Sequence, residues 1–168
     1  LVSSSAASDV YKRQVQAQPD PLGQTQSALE LDDQLNLYRV TVPIGVIGVI
    51  FESRPDALVQ IASICLKSGN AAILKGGREA TETNRVLAEV MIAATTDIEG
   101  IPEGWMTLLE GREEVRELLE QEDEVDLIIP RGGNEFVQYI MHNTKIPVMG
   151  HADGICHVYI DRAADIDK

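Results

Sequence analysis

Two short segments of the chain combine cations with paired glycines, and each follows an apolar run. Lys75-Gly76-Gly77-Arg78 follows Ala71–Leu74, and Arg131-Gly132-Gly133 follows Val125–Ile129. Paired glycines let backbone N–H groups approach a ligand closely, and the start of a following helix attracts anions. Either segment alone could equally be a glycine turn with solvated charges, since neither matches GxGxxG or a Walker loop. The occurrence of two favours an extended, phosphate-bearing cofactor.

Two further residues, Arg54 and His151, could contact a ligand. Arg54 follows the apolar run Ile44–Phe51, and a guanidinium can bind a phosphate or carboxylate through two parallel hydrogen bonds. Its spacing alone is more typical of a surface ion pair with Glu52 or Asp56. His151 would end a strand, where a site residue and a structural residue are equally compatible with the pattern.

The two cysteines, Cys65 and Cys156, are predicted to be packed core thiols. Cys65 lies on the apolar face of a predicted helix. Cys156 and His157 are neighbours in an apolar β run, so their side chains should point to opposite faces and cannot act together as nucleophile and base. Histidines without a second cysteine pair make a poor zinc site, so no metal is expected. Two cysteines are also typical of a reduced, cytoplasmic protein.

The elements that must position these residues alternate between strand and helix. Apolar β-branched runs predict buried strands, and apolar residues at i, i+3 and i+4 predict amphipathic helices. The predicted strands are 35–42, 44–51, 71–74, 105–109, 125–129, 146–149 and 155–160, with helices from 55 and at about 79–94, 112–122 and 134–142. This alternation predicts an α/β fold, a Rossmann-like parallel sheet with helices on both faces. Ligands of such sheets bind at the carboxyl ends of the strands.

The chain is predicted to have three parts. Residues 1–19 are small, polar and aperiodic, which indicates a disordered or foreign tail. Residues 20–42 would be a linker with a possible hairpin arm, whose strand Leu35–Val42 is either an ordinary arm or an edge that pairs with another subunit. Residues 43–168 would form the cofactor-binding domain.

Composition excludes several classes of function. The 168 residues carry a formal charge of −13, which argues against nucleic-acid binding through phosphate neutralisation. Hydrophobic residues make up 44% of the chain, enough for a buried core. No apolar run approaches the roughly 20 residues that a membrane-spanning helix needs.

Four segments resemble a known family. FESRPDA (51–57), LKGG (74–77), IIPRG (128–132) and GHADGICH (150–157) are closely similar to segments of the γ-glutamyl phosphate reductases, members of the aldehyde dehydrogenase superfamily. The resemblance runs from about residue 20 to the last residue. It implies NADPH-dependent reduction of L-glutamyl 5-phosphate to L-glutamate 5-semialdehyde and phosphate, a step of proline biosynthesis. In that chemistry a cysteine thiolate displaces phosphate to form a thioester, and hydride from the nicotinamide releases the aldehyde.

The resemblance also implies roles for the residues singled out above. The loop from Lys75 would hold the adenosine ribose and its 2′-phosphate, and the loop from Arg131 would approach the pyrophosphate. Arg54 would stabilise an oxyanion or hold the leaving phosphate. His151 would replace the glutamate that activates water in the oxidising relatives, since a reductase gains nothing from hydrolysing its thioester.

The resemblance places the family's nucleophilic cysteine beyond residue 168. The chain is therefore expected to be an incomplete cofactor-binding domain that lacks the catalytic domain and is inactive alone, and the full-length enzyme could form a homo-oligomer. Two alternatives stay open. One is another NAD(P)-dependent aldehyde or acyl-phosphate dehydrogenase, and the other is a non-catalytic nucleotide-binding module.

Overall fold

The computed structural model describes residues 12–52, 54–150, 159 and 161. Within them, an antiparallel hairpin of β1 (Thr25–Asp32) and β2 (Leu35–Val40) precedes a four-stranded parallel sheet. The sheet contains β3 (Val46–Ile50), β4 (Ala71–Lys75), β5 (Met106–Leu109) and β6 (Leu127–Pro130), in the spatial order β5-β4-β3-β6. These strands are followed in turn by α1 (Pro55–Lys67), α2 (Thr81–Thr95), α3 (Arg112–Leu119) and α4 (Asn134–His142). The predicted α/β fold is confirmed.

The sheet is covered by helices on both faces. Side chains on one face pack with α1 and α2 in a core that includes Ile47, Val49 and Leu58. Side chains on the other face pack with α3 and α4 in a second core that includes Ile50 and Ile140. Successive residues of a strand point to opposite faces, so the unbroken apolar run of β3 supplies both cores at once.

The turn between α1 and β4 fixes the start of β3. Gly69 has a φ of +68°, a conformation that glycine adopts without strain, and it lies two residues after the end of α1. Asn70 is buried, and its Oδ1 accepts hydrogen bonds from the backbone N–H groups of Ile44 (2.7 Å) and Gly45 (2.9 Å). The entry into β3 is therefore tied to the end of α1.

The amino-terminal segment differs from the predicted disordered tail. Residues 12–17 are helical, and Val15 is buried, so the expectation of disorder is wrong for this part of residues 1–19. The sequence does not predict this helix, because a single buried valine in a segment of low apolar content gives no periodic signal.

The hairpin arm also extends further than the sequence indicates. β1 was not predicted, because TQSALELD mixes polar and apolar residues without regular alternation. Every residue of β1 and β2 is exposed, so neither strand gains a burial pattern from packing on the described core. β2 itself confirms the strand predicted from residue 35, although it ends at Val40.

Two predictions for the carboxyl-terminal third need correction. α3 ends at Leu119, earlier than the predicted 122. The strand predicted at 146–149 is reduced to a single parallel bridge between Val148 and Ile128. Ile128 N donates to Pro147 O (2.9 Å), and Met149 N donates to Ile128 O (2.8 Å), so this segment extends the sheet beyond β6. Of the strand predicted at 155–160, the structure describes residue 159 alone, so this prediction is not tested. Among those residues, the helices are all too short or too polar to cross a membrane.

Candidate cofactor-binding site

The carboxyl ends of three strands lie side by side with β3 in the middle. Ile50 pairs with Lys75 of β4 on one side and with Pro130 of β6 on the other. The ladder continues past these pairs, since Phe51 N donates to Lys75 O (2.9 Å) and Arg131 N donates to Ile50 O (2.7 Å). Neighbouring strands are about 4.8 Å apart, so the two glycine loops begin about 10 Å apart across one strand.

The first loop packs too tightly for any residue but glycine at its second position. Gly76 is buried, and a Cβ added there would overlap the side-chain amide of Asn84 and lie 3.2 Å from the ring of Phe51. The half-buried Lys75 donates from its ammonium to Gly76 O at 2.6 Å. Arg78 is exposed and opens a single 3-10 turn that leads into α2. The loop therefore presents two cations at the edge of the sheet.

A buried amide lies directly beneath this loop. Asn84 is only 2% exposed, and its Oδ1 has no hydrogen-bond partner among the described residues. Buried polar atoms in proteins nearly always have partners. Since the amide nitrogen of Asn84 packs against Gly76, the unpaired oxygen of the same amide is consistent with a site whose hydrogen bonding is completed when a polar ligand binds.

The second loop has open space at its second glycine. A Cβ added to Gly133 would meet nothing within 4 Å, and Gly133 precedes the first residue of α4. Gly132 is more confined, since an added Cβ would lie 3.2 Å from the ring of Phe136 and 3.4 Å from the carboxylate of Glu52. Arg131 is exposed. Because the first N–H groups of a helix have no partner within it, this loop can approach an anion.

Arg54 lies after β3 and therefore between the two loops. Its side chain is 76% exposed, and its Nη2 lies 3.5 Å from Oδ2 of Asp56. The surface ion pair that the sequence allowed is thus present, with Asp56 and not Glu52 as the partner identified. Exposed ion pairs of this kind contribute little to the stability of the fold. A role for Arg54 in binding substrate stays a prediction.

The remaining predicted residues divide into two groups. Cys65 is 5% exposed and burial raises the pKa of its thiol, which confirms a packed core thiol and makes it a poor nucleophile. His151, Cys156 and His157 lie outside the described residues, so their predicted roles stay predictions. The described part of the chain contains no cluster of three or more side chains able to hold a metal ion.

Three residues near the first loop were missed by sequence reasoning. Glu110 follows β5, the strand next to β4, and lines a small cavity that Lys75 and Gly77 also line. Arg85 of α2 holds this carboxylate with two hydrogen bonds, Nε to Oε1 at 2.9 Å and Nη2 to Oε2 at 3.0 Å. The hydrogen bonds from Arg85 lower the pKa of Glu110. The position of Glu110 after a strand was the one available signal, and Asn84 and Arg85 gave none.

Comparison with known proteins identifies the family of this chain. A family model described as the aldehyde dehydrogenase family matches residues 5–168. The chain is 64% identical over 148 residues to the gamma-glutamyl phosphate reductase of Acetivibrio thermocellus, and the alignment covers 88% of this chain and 34% of that protein. The chain thus spans about a third of the length of the curated relatives that it matches.

Two solved structures of proteins with the same name are similar in fold. The Saccharomyces cerevisiae protein has a TM-score of 0.80 at 45% identity, over 96% of this chain and 41% of that one. The Thermotoga maritima protein has a TM-score of 0.86 at 32% identity, over 99% of this chain and 41% of that one. The resemblance inferred from the four sequence segments is confirmed. The chain belongs to the aldehyde dehydrogenase family, which implies a nicotinamide cofactor for the enzyme.

Proposed function

We propose that this chain is the cofactor-binding part of an enzyme that reduces L-glutamyl 5-phosphate to L-glutamate 5-semialdehyde and phosphate with NADPH. The observation that carries the proposal is the shared register of Lys75 and Pro130 on either side of Ile50. This register brings two cation-bearing glycine loops to one edge of the sheet. The 64% identity to a gamma-glutamyl phosphate reductase supports the substrate class.

The two loops would divide the cofactor between them. Lys75, Gly76, Gly77 and Arg78 would hold the adenosine ribose and its 2′-phosphate, because the loop offers two cations beside backbone that only glycine fits. Arg131, Gly132 and Gly133 would hold the pyrophosphate at the start of α4, where the open space at Gly133 admits an anion. When bound, NADPH supplies the hydride for the reduction.

Arg54 and His151 are proposed as accessory residues of the reaction. The guanidinium of Arg54 is exposed and held by one long ion pair at 3.5 Å, so it can exchange Asp56 for the substrate phosphate at small cost. His151 would replace the glutamate of the oxidising relatives and, unlike that glutamate, would not activate water. If His151→Glu in the complete enzyme gave no thioester hydrolysis, that role for His151 would have no basis.

The proposal is tested by titrating the chain with NADPH and following the nicotinamide fluorescence. We expect saturable binding that weakens about tenfold in Lys75→Ala and in Arg131→Ala, because each removes one charge-assisted contact to a phosphate. Lys145→Ala is the matched control, since it removes a lysine that pairs with Glu122 at the opposite edge of the sheet. Equal weakening in all three variants, or absence of saturation in the unaltered chain, would contradict the proposal.

Catalysis is proposed to need a nucleophile that the chain does not contain. The buried Cys65 is unsuited to this role. We therefore expect no NADP-dependent oxidation of glutamate 5-semialdehyde in phosphate buffer with the 168-residue chain. Turnover that disappears in Cys156→Ser would overturn this assignment.

The hairpin is proposed to join copies of the full-length enzyme in a cytoplasmic homo-oligomer. Leu29 and Leu37 are cross-strand partners with exposures of 58% and 55%, and both strands are exposed along their whole length. Exposed apolar residues on an unpaired strand edge favour association with another copy. Light scattering should show a smaller particle for Leu29→Lys/Leu37→Lys, whereas Asn36→Lys in the same hairpin should leave the mass unchanged. An unchanged mass for the leucine variant would refute this role.

A further inference from the structure

A carboxylate forms one wall of the cavity beside the first glycine loop. The cavity is lined by Lys75, Gly77, Thr81 and Glu110 among others. Glu110 follows β5, which pairs with β4 so that Leu109 lies opposite Lys75. The carboxylate therefore lies at the same sheet edge as the loop proposed to hold the adenosine ribose.

A carboxylate at this place has an opposite effect on two nicotinamide cofactors. Acidic side chains in dinucleotide sites accept hydrogen bonds from the ribose 2′-hydroxyl of NADH, whereas a nearby arginine accommodates the 2′-phosphate of NADPH. A free Glu110 would repel a 2′-phosphate through like charge. The negative charge of a free Glu110 would thus counteract the attraction of the cations in the glycine loop for the 2′-phosphate.

Arg85 offsets this carboxylate by occupying both of its oxygens. The two hydrogen bonds are 2.9 and 3.0 Å long, a bidentate arrangement that fixes the geometry as well as the charge. The third nitrogen of Arg85 donates to Glu82 at 3.0 Å, so the guanidinium is also anchored on its own helix. The oxygens of Glu110 are therefore engaged before any ribose arrives.

We infer that Arg85 is a specificity-determining residue that lets the sheet edge beside the first glycine loop accept a 2′-phosphorylated adenosine, by holding Glu110 in a bidentate ion pair. The inference rests on the proposed function, since it assumes that the adenosine ribose lies at the loop from Lys75. Arg85 acts through Glu110 and need not touch the cofactor. Removing Arg85 should release the carboxylate and shift the preference from NADPH toward NADH.

Calorimetric titration of the chain with two cofactor fragments tests the inference. Adenosine 2′,5′-bisphosphate carries the 2′-phosphate, and 5′-AMP lacks it. We expect Arg85→Gln to lower the preference for the bisphosphate about tenfold, because a released negative charge then faces the phosphate. The double variant Arg85→Gln/Glu110→Gln should recover the original preference, and Glu110→Gln alone should raise it.

Lys145→Gln is the matched control. It removes one positive charge at the opposite edge of the sheet, where Lys145 pairs with Glu122 at 2.9 Å. It therefore changes the net charge of the chain as Arg85→Gln does, and should leave the preference unaltered. Circular dichroism of each variant confirms that it folds, and Glu110→Gln carries the test if Arg85→Gln does not fold.

The outcomes separate the inference from the function on which it rests. An unaltered preference in Arg85→Gln would overturn the inference. A loss that the double variant fails to recover would overturn it too, because Arg85 would then contact the phosphate itself or support the fold. If the unaltered chain bound neither fragment, the proposed function would fail, and the inference with it.

Discussion

The sharpest contrast in the site is between the two loop glycines Gly76 and Gly133. An alanine methyl at Gly76 would overlap the amide of Asn84 and approach the ring of Phe51 at 3.2 Å. Both neighbours are buried, so neither can move into solvent to make room. An alanine methyl at Gly133 would meet nothing within 4 Å.

These environments set the expected size of each effect. Forcing an extra methyl into a packed site typically costs about 1–3 kcal/mol, and about 1 kcal/mol lowers the melting temperature of a chain of this size by roughly 2–4 °C. We therefore expect Gly76→Ala to melt several degrees lower. Gly133 precedes α4, where alanine is less favourable than glycine. Alanine also reduces the conformational entropy of the unfolded chain, which stabilises the folded state by about 0.4–1 kcal/mol. The two terms oppose each other, so Gly133→Ala should stay close to the original stability.

Thermal unfolding followed by circular dichroism measures the two stabilities, and NADPH titration measures the two affinities. We expect Gly76→Ala to lose stability, and Gly133→Ala to keep its stability while it loses NADPH affinity, since its methyl occupies the space proposed for the pyrophosphate. The reasoning is refuted if Gly76→Ala melts with the unaltered chain, or if Gly133→Ala binds NADPH as tightly as before.

Three further predictions concern the fold and its charges. Asn70→Ala should lower the free energy of unfolding in urea by about 1–3 kcal/mol, because two backbone N–H groups lose their acceptor; an unchanged urea midpoint would contradict this. Cys65, buried with a raised pKa, should be alkylated by iodoacetamide at least about tenfold faster in urea than in the native chain, as measured by peptide mass spectrometry; equal rates would show that the thiol is accessible. Arg85 lowers the pKa of Glu110, so their pair stabilises the fold above the ordinary glutamate pKa of about 4.3 and is lost as the pH falls through the lowered pKa. The unaltered chain should therefore be more stable than Glu110→Gln at pH 7, and the two should converge in acid; a difference independent of pH would exclude the ion pair as its cause.

The parts of the fold that burial dictates could be predicted from the sequence. The apolar run of β3 and the apolar spacing of α1 follow from what each element must bury, and α4 has the predicted bounds 134–142. β1 could not be predicted, because all of its residues are exposed and no packing surface imposes an alternation on them. The bridge at Val148 is shorter than a strand, and the adjoining Pro147 has no N–H to extend a ladder.

The site divides in the same way. The two glycine loops could be found from the sequence, because each glycine pair follows its own strand. Glu110 and Arg85 belong to the site only because β5 is the neighbour of β4. The order of strands in a sheet cannot be inferred from local sequence patterns. Asn84 was hidden for a related reason, since its burial depends on how closely Gly76 approaches α2.

The central claim is that one dinucleotide lies across the end of β3 and contacts both glycine loops. Backbone amide NMR of the chain during an NADPH titration measures this directly, because the glycines of the two loops have separate N–H signals. We expect Gly76 and Gly77 to shift together with Gly132 and Gly133, all with the same apparent affinity, while Gly23 before the hairpin stays unchanged. Shifts confined to one loop, or two loops that titrate with different affinities, would contradict a single cofactor bound across the strand.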